Sequence, residues 1–287
     1  MRFTKMQAFG NDYVYIDAIH QELGNLSELA KFISNRHFAV GSDGMVLICS
    51  SAKADFRMRI FNPDGTEAEM CGNALRSVGK YIYDHGLTDK EELVIETLGG
   101  LKSLKLFVVD GAVFNIRADI GEPILSTKEI PVHIRQPEFI EQPVEVFGHI
   151  LFMTAVSWGN PHCAVYVDSV KEWNVEKYGE SIENRTSLFP NKTNVTFAEI
   201  VRRDYIKIRE WERGTGETIG CGTGCATAVV AGVLTNRCDR CVTVEQIGGT
   251  LKIEWDETTN HLMMEGPSYT VFEGEIEVPF LMNEAEK

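Results

Sequence analysis

The chain is short of positive charge. Its 287 residues carry 28 Lys and Arg against 42 Asp and Glu, a net charge of −14, which argues against nucleic acid or an anionic membrane surface as a partner. Long apolar runs are missing too: the longest nearly apolar stretch, 226–234, is about half of what a bilayer-spanning helix needs. The opening residues Met1-Arg2-Phe3-Thr4-Lys5 contain no apolar core of the secretory kind. Cysteines number seven, an odd count; together with that N-terminus, this leads us to expect reduced thiols in a cytoplasm. Nucleotide-loop spacings are absent as well. Gly214-Thr215-Gly216 and Gly220-Cys221-Gly222-Thr223-Gly224 are glycine-rich, yet neither Gly-x-x-x-x-Gly-Lys-Ser/Thr nor Gly-x-Gly-x-x-Gly occurs there. What remains is an ordinary globular composition, 44% apolar and 24% charged, with ample chain for two cores.

The chain does hold an internal repeat. Phe61-Asn62-Pro63-Asp64-Gly65-Thr66-Glu67-Ala68-Glu69-Met70-Cys71-Gly72-Asn73 is echoed, 150 residues later, by Trp211-Glu212-Arg213-Gly214-Thr215-Gly216-Glu217-Thr218-Ile219-Gly220-Cys221-Gly222-Thr223. The same offset carries Arg59 onto Arg209 and Glu67 onto Glu217, and sets Gly44 opposite Asn194. An offset one residue shorter carries Gly10-Asn11 onto Gly159-Asn160, Asn35-Arg36 onto Asn184-Arg185, and Gly99-Gly100 onto Gly248-Gly249. A period this long means a duplicated domain and not a solenoid.

Both halves show the same series of elements. Strand-length apolar runs lie at 13–17, 45–49, 57–61 and 93–97, with a hairpin turning at Asp110-Gly111. The second half has strands near 153–156, 164–167, 195–199, 206–211, 242–246, 251–255 and 262–265. Helical spacing marks 28–36 and 72–84, then 175–184 and 222–236. The expected fold is therefore α/β (α+β): two pseudo-symmetric duplicated domains, each a curved, mostly antiparallel sheet or barrel around a central helix. The N-terminal domain covers 1–120 and the C-terminal domain 121–267, beginning with a polar, proline-containing connection from Gly121 to Gln142.

Cys71 and Cys221 fall at the starts of the central helices. There, unpaired N–H groups and the helix dipole favour a thiolate, so a thiol pKa below its usual value is expected. The N–H groups of Gly72, Asn73, Gly222 and Thr223 form a ready carboxylate site. With a carboxylate held between two such helix starts, one thiolate can remove an α-proton while the other thiol returns a proton to the opposite face. An α-C–H is a far weaker acid than a thiol. A mismatch on the order of ten pKa units leaves about 14 kcal/mol for the site to supply, a task for N–H groups aimed at the developing enediolate in a dry enclosure.

Other readings compete. Most lone cysteines are small buried hydrophobes, and that reading fits Cys49, Cys163 and Cys225. It fits the matched pair poorly, because core packing does not demand a glycine after both. Cys221, Cys225, Cys238 and Cys241 spell C-x3-C-x12-C-x2-C, close to structural zinc spacing, and would make the chain a zinc-stabilised binding module. The intervening residues, however, read as an apolar helix, and Cys71 has no such companions, so no metal is expected. Asn11, Asn62 and Asn160 lie beside Gly or Pro, where asparagine is common for turn reasons alone. Arg59, Arg76 and Arg209 read as structural cations, and the acidic tail from Asn283 as solvated.

These motifs, taken together, resemble the diaminopimelate epimerase family. The resemblance spans nearly the whole chain. It rests on Gly10-Asn11-Asp12, Phe61 through Gly65, Met70-Cys71-Gly72-Asn73-Ala74-Leu75-Arg76, Gly159-Asn160-Pro161-His162, and Glu212 through Thr218 followed by Cys221-Gly222-Thr223-Gly224. It implies a cofactor-independent isomerase that interconverts LL- and meso-2,6-diaminopimelate in lysine and peptidoglycan biosynthesis, with its site in an interdomain cleft. Cys71 and Cys221 then correspond to the acid/base thiols, tuned by His162 and Glu212, the latter also facing the substrate ammonium. Gly72, Asn73, Gly222 and Thr223 correspond to the carboxylate site. Asn11, Asn62, Asn160, Asn194 and Arg213 correspond to the grip on the distal amino-acid head. The resemblance further implies a homodimer, and a final strand within 268–282 that completes the first domain.

One departure is visible. Gly44 stands where some family members carry glutamine after the Asp, so that side-chain contact is lost or replaced. The alternative activity is racemisation of another amino acid, such as proline, hydroxyproline or histidine. The set of asparagines with Arg213 argues against it, since a second amino-acid head needs many polar contacts and a proline ring few.

Overall fold

The computed structural model describes residues 1–278. The end of the 268–282 segment and the acidic tail lie outside the described residues. The chain divides into two compact units, residues 1–118 with the segment from Gly266 onward, and residues 119–265.

The first unit runs β1 (Arg2–Ala8), β2 (Asn11–Asp17), α1 (Leu26–Ile33), β3 (Met45–Cys49), β4 (Phe56–Phe61), β5 (Glu67–Ala68), α2 (Gly72–Asp84), β6 (Glu92–Thr97), β7 (Gly100–Val109) and β8 (Ala112–Asp119). Strands β2 and β3 pair in parallel around α1, and β4 and β6 pair in parallel around α2; the other pairings among these strands are antiparallel. The unbroken apolar run Met45-Val46-Leu47-Ile48 follows from this sandwich. Met45 and Leu47 pack with Leu29 and Ile33 of α1, whereas Val46 and Ile48 pack with Leu75, Val78 and Ile82 of α2. A strand covered on both faces has no polar side to alternate with. Asn25 caps α1 by accepting from the Glu28 N–H at 3.3 Å. The β7–β8 turn has positive φ at both Asp110 (51°) and Gly111 (79°), as a tight two-residue hairpin requires.

The second unit repeats the plan with β9 (Gln142–Val146), β10 (His149–Ser157), β11 (Pro161–Tyr166), α3 (Val175–Glu183), β12 (Asn194–Arg202), β13 (Tyr205–Glu212), β14 (Gly216–Thr218), α4 (Gly222–Leu234), β15 (Cys241–Gln246), β16 (Gly249–Trp255) and β17 (Leu262–Gly266). The parallel pairs are again those that flank helices, β11 with β12 and β13 with β15. Helix α3 packs on one face through Val175, Tyr178 and Ile182, against Cys163, Val195, Phe197 and Trp211. At Gly179 of α3 an added Cβ would lie 2.5 Å from Trp211 Cγ, so the indole sits directly on the helix backbone. The connection from Gly121 is not a loose linker: Ile130, Val132 and Phe139 are buried in this core.

The last strand, β18 (Tyr269–Glu275), returns to pair antiparallel with β1. Sequence patterning does not reveal β1, because a lysine stands within a run of consecutive buried residues, Phe3 to Met6. Lys5 is 7% exposed, pairs with Asp12 and donates to the Gly41 carbonyl.

Candidate active site

Each unit delivers a cysteine to the start of a thirteen-residue helix. Cys71 is the N-cap of α2 (φ −140°, ψ 121°) and Cys221 the N-cap of α4 (φ −126°, ψ 110°). Neither sulfur caps its helix through a side-chain hydrogen bond, so in both units the first N–H groups are left without a side-chain cap from the cysteine. The approach to each helix is held alike. Arg59 clasps Glu67 with Nε and Nη2, both at 2.8 Å, and Arg209 clasps Glu217 at 2.6 and 2.9 Å.

Around Cys71, the thiol donates to Asn11 Oδ1 at 3.5 Å, and Asn73 Nδ2 reaches the same oxygen at 3.4 Å. The Asn11 amide nitrogen is held by Asp43 Oδ2 at 2.9 Å. The Tyr13 side chain is among the groups that act on the Cys71 sulfur. Fully buried Arg76 donates to Asn73 Oδ1 at 2.6 Å and to the Gly72 carbonyl at 3.2 Å. Burial pushes the Cys71 thiol above its usual value, while the N–H groups of Ala74 and Asn73, the Tyr13 hydroxyl and Arg76 pull it back. The helix start acts in the expected direction, but desolvation outweighs it.

Around Cys221, the backbone N–H donates to Gln246 Oε1 at 2.9 Å and Sγ lies 3.4 Å from Thr223 Oγ1. Burial drives this thiol well above its usual value, and the negative charges of Glu212 and Glu210 add to the effect; the Thr223 hydroxyl and the Gly224 N–H oppose it. The expected lowering is thus reversed at both sulfurs. Glu212 Oε1 accepts from Thr218 Oγ1 at 2.6 Å. His162 is fully buried, with Nε2 at 3.3 Å from Asn194 Nδ2 and Nδ1 at 3.4 Å from Glu210 Oε1. Asn194 donates to the Pro161 carbonyl at 3.0 Å and accepts from the Arg213 N–H at 2.8 Å. The guanidinium of Arg213 donates to the Asn191 carbonyl at 2.9 Å.

The remaining site candidates are placed as follows. Gly72 and Gly222 are buried first residues of their helices. Asn62 closes its own turn, with Nδ2 on Thr66 Oγ1 at 3.0 Å, and half-buried Asn160 lies in the turn before β11. At Gly44 an added Cβ would lie 2.3 Å from the Phe61 carbonyl oxygen and 2.8 Å from Tyr13 Cε1, so no side chain fits without a shift. The zinc-like cysteines go separate ways. Cys225 donates to Gln246 Oε1, Cys238 to the Val229 carbonyl, and Cys241 is exposed. No cluster of three or more His, Cys, Asp or Glu suited to a metal occurs among the described residues. Among the described residues, no helix is long and apolar enough to cross a membrane.

Three neighbours of the cysteines escaped the sequence reading: Tyr13, Gln246 and Glu210. Tyr13 could have been found, because the 149-residue offset that aligns Asn11 with Asn160 also aligns Tyr13 with His162. Gln246 and Glu210 read as ordinary strand residues.

Comparison with known proteins places this architecture in the class of PhzF-type and amino-acid racemase folds. A PhzF-family phenazine biosynthesis protein from Bacillus anthracis superposes with a TM-score of 0.69 at 20% identity, covering 97% of this chain and 99% of the other. A hydroxyproline epimerase from Agrobacterium vitis, solved with trans-4-hydroxy-L-proline, gives 0.65 at 12% identity, covering 96% and 90%. At such identities the likeness concerns the fold alone. The sequence carries the assignment further: the diaminopimelate epimerase family model matches residues 3–125 and 154–271, and the chain belongs to that family. The diaminopimelate epimerases of Methanococcus maripaludis (strain S2) and Acetivibrio thermocellus are each 49% identical to it over 278 residues, covering 97% of this chain and 100% and 99% of theirs. That of Agathobacter rectalis is 46% identical over 285 residues, covering 97% and 100%.

Proposed function

We propose that this isomerase interconverts LL- and meso-2,6-diaminopimelate by proton transfer at the α-carbon, supplying lysine and peptidoglycan synthesis. Alongside the family membership, one observation supports the two-thiol chemistry: the duplicated cysteine that caps a thirteen-residue helix in each unit. The substrate carboxylate is bound by the N–H groups of Gly72, Asn73, Gly222 and Thr223. One thiolate takes the α-proton, breaking C–H and forming S–H. The carbanion, its charge spread into the carboxylate as an enediolate, takes a proton from the other thiol on the opposite face. The pair is left with its proton exchanged between sulfurs, and solvent restores it. Both protons are carried by side chains of the chain, so the step requires no cofactor.

Glu212, held by Thr218, faces the substrate ammonium. Asn11, Asn62, Asn160 and Arg213 grip the distal amino-acid head. Asn194 contributes by holding the Arg213 backbone, since its amide is already engaged at both ends. His162, locked by Asn194, acts from beneath as a tuning group. Burial favours the neutral thiol, so the thiolate fraction is small, and at Cys71 the helix N–H groups, the Tyr13 hydroxyl and Arg76 are what oppose that burial. The enzyme works in the cytoplasm as a homodimer; the seven unbridged cysteines suit a reducing compartment.

Proton NMR of LL-diaminopimelate in D₂O with reduced protein tests this reading. Loss of the α-proton signal with appearance of the meso isomer is expected. Exchange only with proline, hydroxyproline or histidine would move the substrate assignment to another amino acid.

A further inference from the structure

The two units share one plan, so the places where their buried charges differ are informative. Across the 150-residue offset that equates Cys71 with Cys221, Ile60 corresponds to Glu210, Ala74 to Gly224 and Arg76 to Ala226. In the first unit, then, a buried cation lies one turn into the cysteine's helix and an isoleucine lies beneath it. The second unit reverses this, with alanine on the helix and a buried carboxylate beneath.

Glu210 is only 2% exposed, and neither of its oxygens has a hydrogen-bond donor among the described residues. Register sets it between Thr196 of β12 and Thr218 of β14. Its carboxylate lies against the first turn of α4: a Cβ at Gly224 would stand 2.4 Å from Oε2. The glycine that looked like part of a nucleotide loop thus opens room for this contact. Titratable groups facing Glu210 are His162 and Cys163 of β11 and Cys221 of α4, which Glu212 of the same strand also faces. Of these, His162 is the one that brings a ring nitrogen within ion-pair distance of the carboxylate. The histidine tautomer is set by Asn194, whose oxygen is committed to the Arg213 N–H and whose nitrogen faces both Pro161 O and His162 Nε2. Nε2 therefore accepts, the ring proton is on Nδ1, and Nδ1 is the atom 3.4 Å from Glu210 Oε1.

We infer that Glu210 is a positioning residue of the Cys221 half-site: its carboxylate holds His162 as the Nδ1–H tautomer and keeps the resting proton on Cys221. Cys221 is then the acid toward the isomer whose α-proton faces Cys71, and in the reverse direction the two sulfurs exchange roles. A buried carboxylate with a single partner costs stability that an apolar side chain does not, which fits a group retained for function. The assignment of acid and base rests on the two-thiol reading above; the effect of Glu210 on Cys221 does not.

The test follows iodoacetamide labelling of Cys71 and Cys221 against pH by peptide mass spectrometry, in the intact protein and in Glu210→Gln and Glu210→Ile. The second variant carries the residue the first unit already has at this position. The midpoint for Cys221 is expected to fall by about one pH unit or more in both variants, while that for Cys71 stays put. Turnover is expected to fall at least tenfold, with the melting temperature of Glu210→Ile unchanged or higher. An unmoved Cys221 midpoint in folded Glu210→Gln protein would overturn the inference. Labelling that shifts as expected, in protein that epimerises no diaminopimelate, would sustain the role of Glu210 and remove only the substrate.

Discussion

Arg59 holds Glu67 in a two-point clasp, Nε to Oε1 and Nη2 to Oε2, each at 2.8 Å, across the turn that leads into α2. The clasp ties strand β4 to the segment carrying Cys71, and its counterpart Arg209–Glu217 recurs before Cys221. Duplication has preserved a fixing device as well as the residues it fixes.

This clasp has an acid signature. The Arg59 hydrogen bond holds Glu67 below the usual carboxylate range. A depressed folded-state value contributes stability above the unfolded value of about 4.3, and loses it as pH falls through the folded one. Urea midpoints should therefore be flat from neutrality down to about pH 5 and drop below that. The Glu67→Gln variant should be less stable at neutrality and show a shallower acid drop. An acid limb of equal steepness in both proteins would mean the pair is not the titrating element.

The Tyr13 hydroxyl lowers the Cys71 thiol against the pull of burial. In Tyr13→Phe the opposing contribution is lost, so the thiolate forms at higher pH. The rising limb of the kcat/KM profile should move up by roughly half to one pH unit, with folding little changed. A profile superimposable on that of the parent protein would place Tyr13 outside the proton path.

Replacing either thiol should stop inversion. Cys71→Ala and Cys221→Ala each leave one face without a proton carrier, and a fall of about a thousandfold in epimerisation is expected from losing one acid/base group. Circular dichroism should stay unchanged, since neither sulfur caps its helix. Retention of even a tenth of the rate in one variant would assign the proton on that face to another group.

At Gly44, restoring the glutamine of some relatives should do harm. The Phe61 carbonyl and the Tyr13 ring occupy the space a Cβ would need. Gly44→Gln should cost about 1–3 kcal/mol, read as a melting temperature lower by several degrees. An unchanged melting temperature with improved KM would show that the pocket adapts.

Much of this molecule could be read before folding it. The repeat was legible because Arg59, Glu67, Cys71 and Gly72 recur in order with their partners in the second half. The two cysteine-bearing helices and the Asp110-Gly111 hairpin were legible because apolar period and turn chemistry are local properties. Strand β1 was not, because the charge of Lys5 hides a buried position that only Asp12 and the Gly41 carbonyl make tolerable.

The chemistry of the cysteines divides the same way. Which residues begin the helices, and that there are two of them, follows from chain order and glycine placement. How readily each thiol ionises does not, because its surroundings arrive from distant strands and turns: burial at both sulfurs, with Glu212 and Glu210 at Cys221, reverses the expected lowering, and Tyr13 and Arg76 only partly oppose it at Cys71. Glu210 lies in an Arg-Glu-Trp-Glu-Arg run that reads as a solvated strand face. Its position beneath Gly224 and beside His162 exists only once β11, β13 and α4 have packed. A dielectric environment is a property of the assembled surroundings of a side chain, so the sequence alone does not report it.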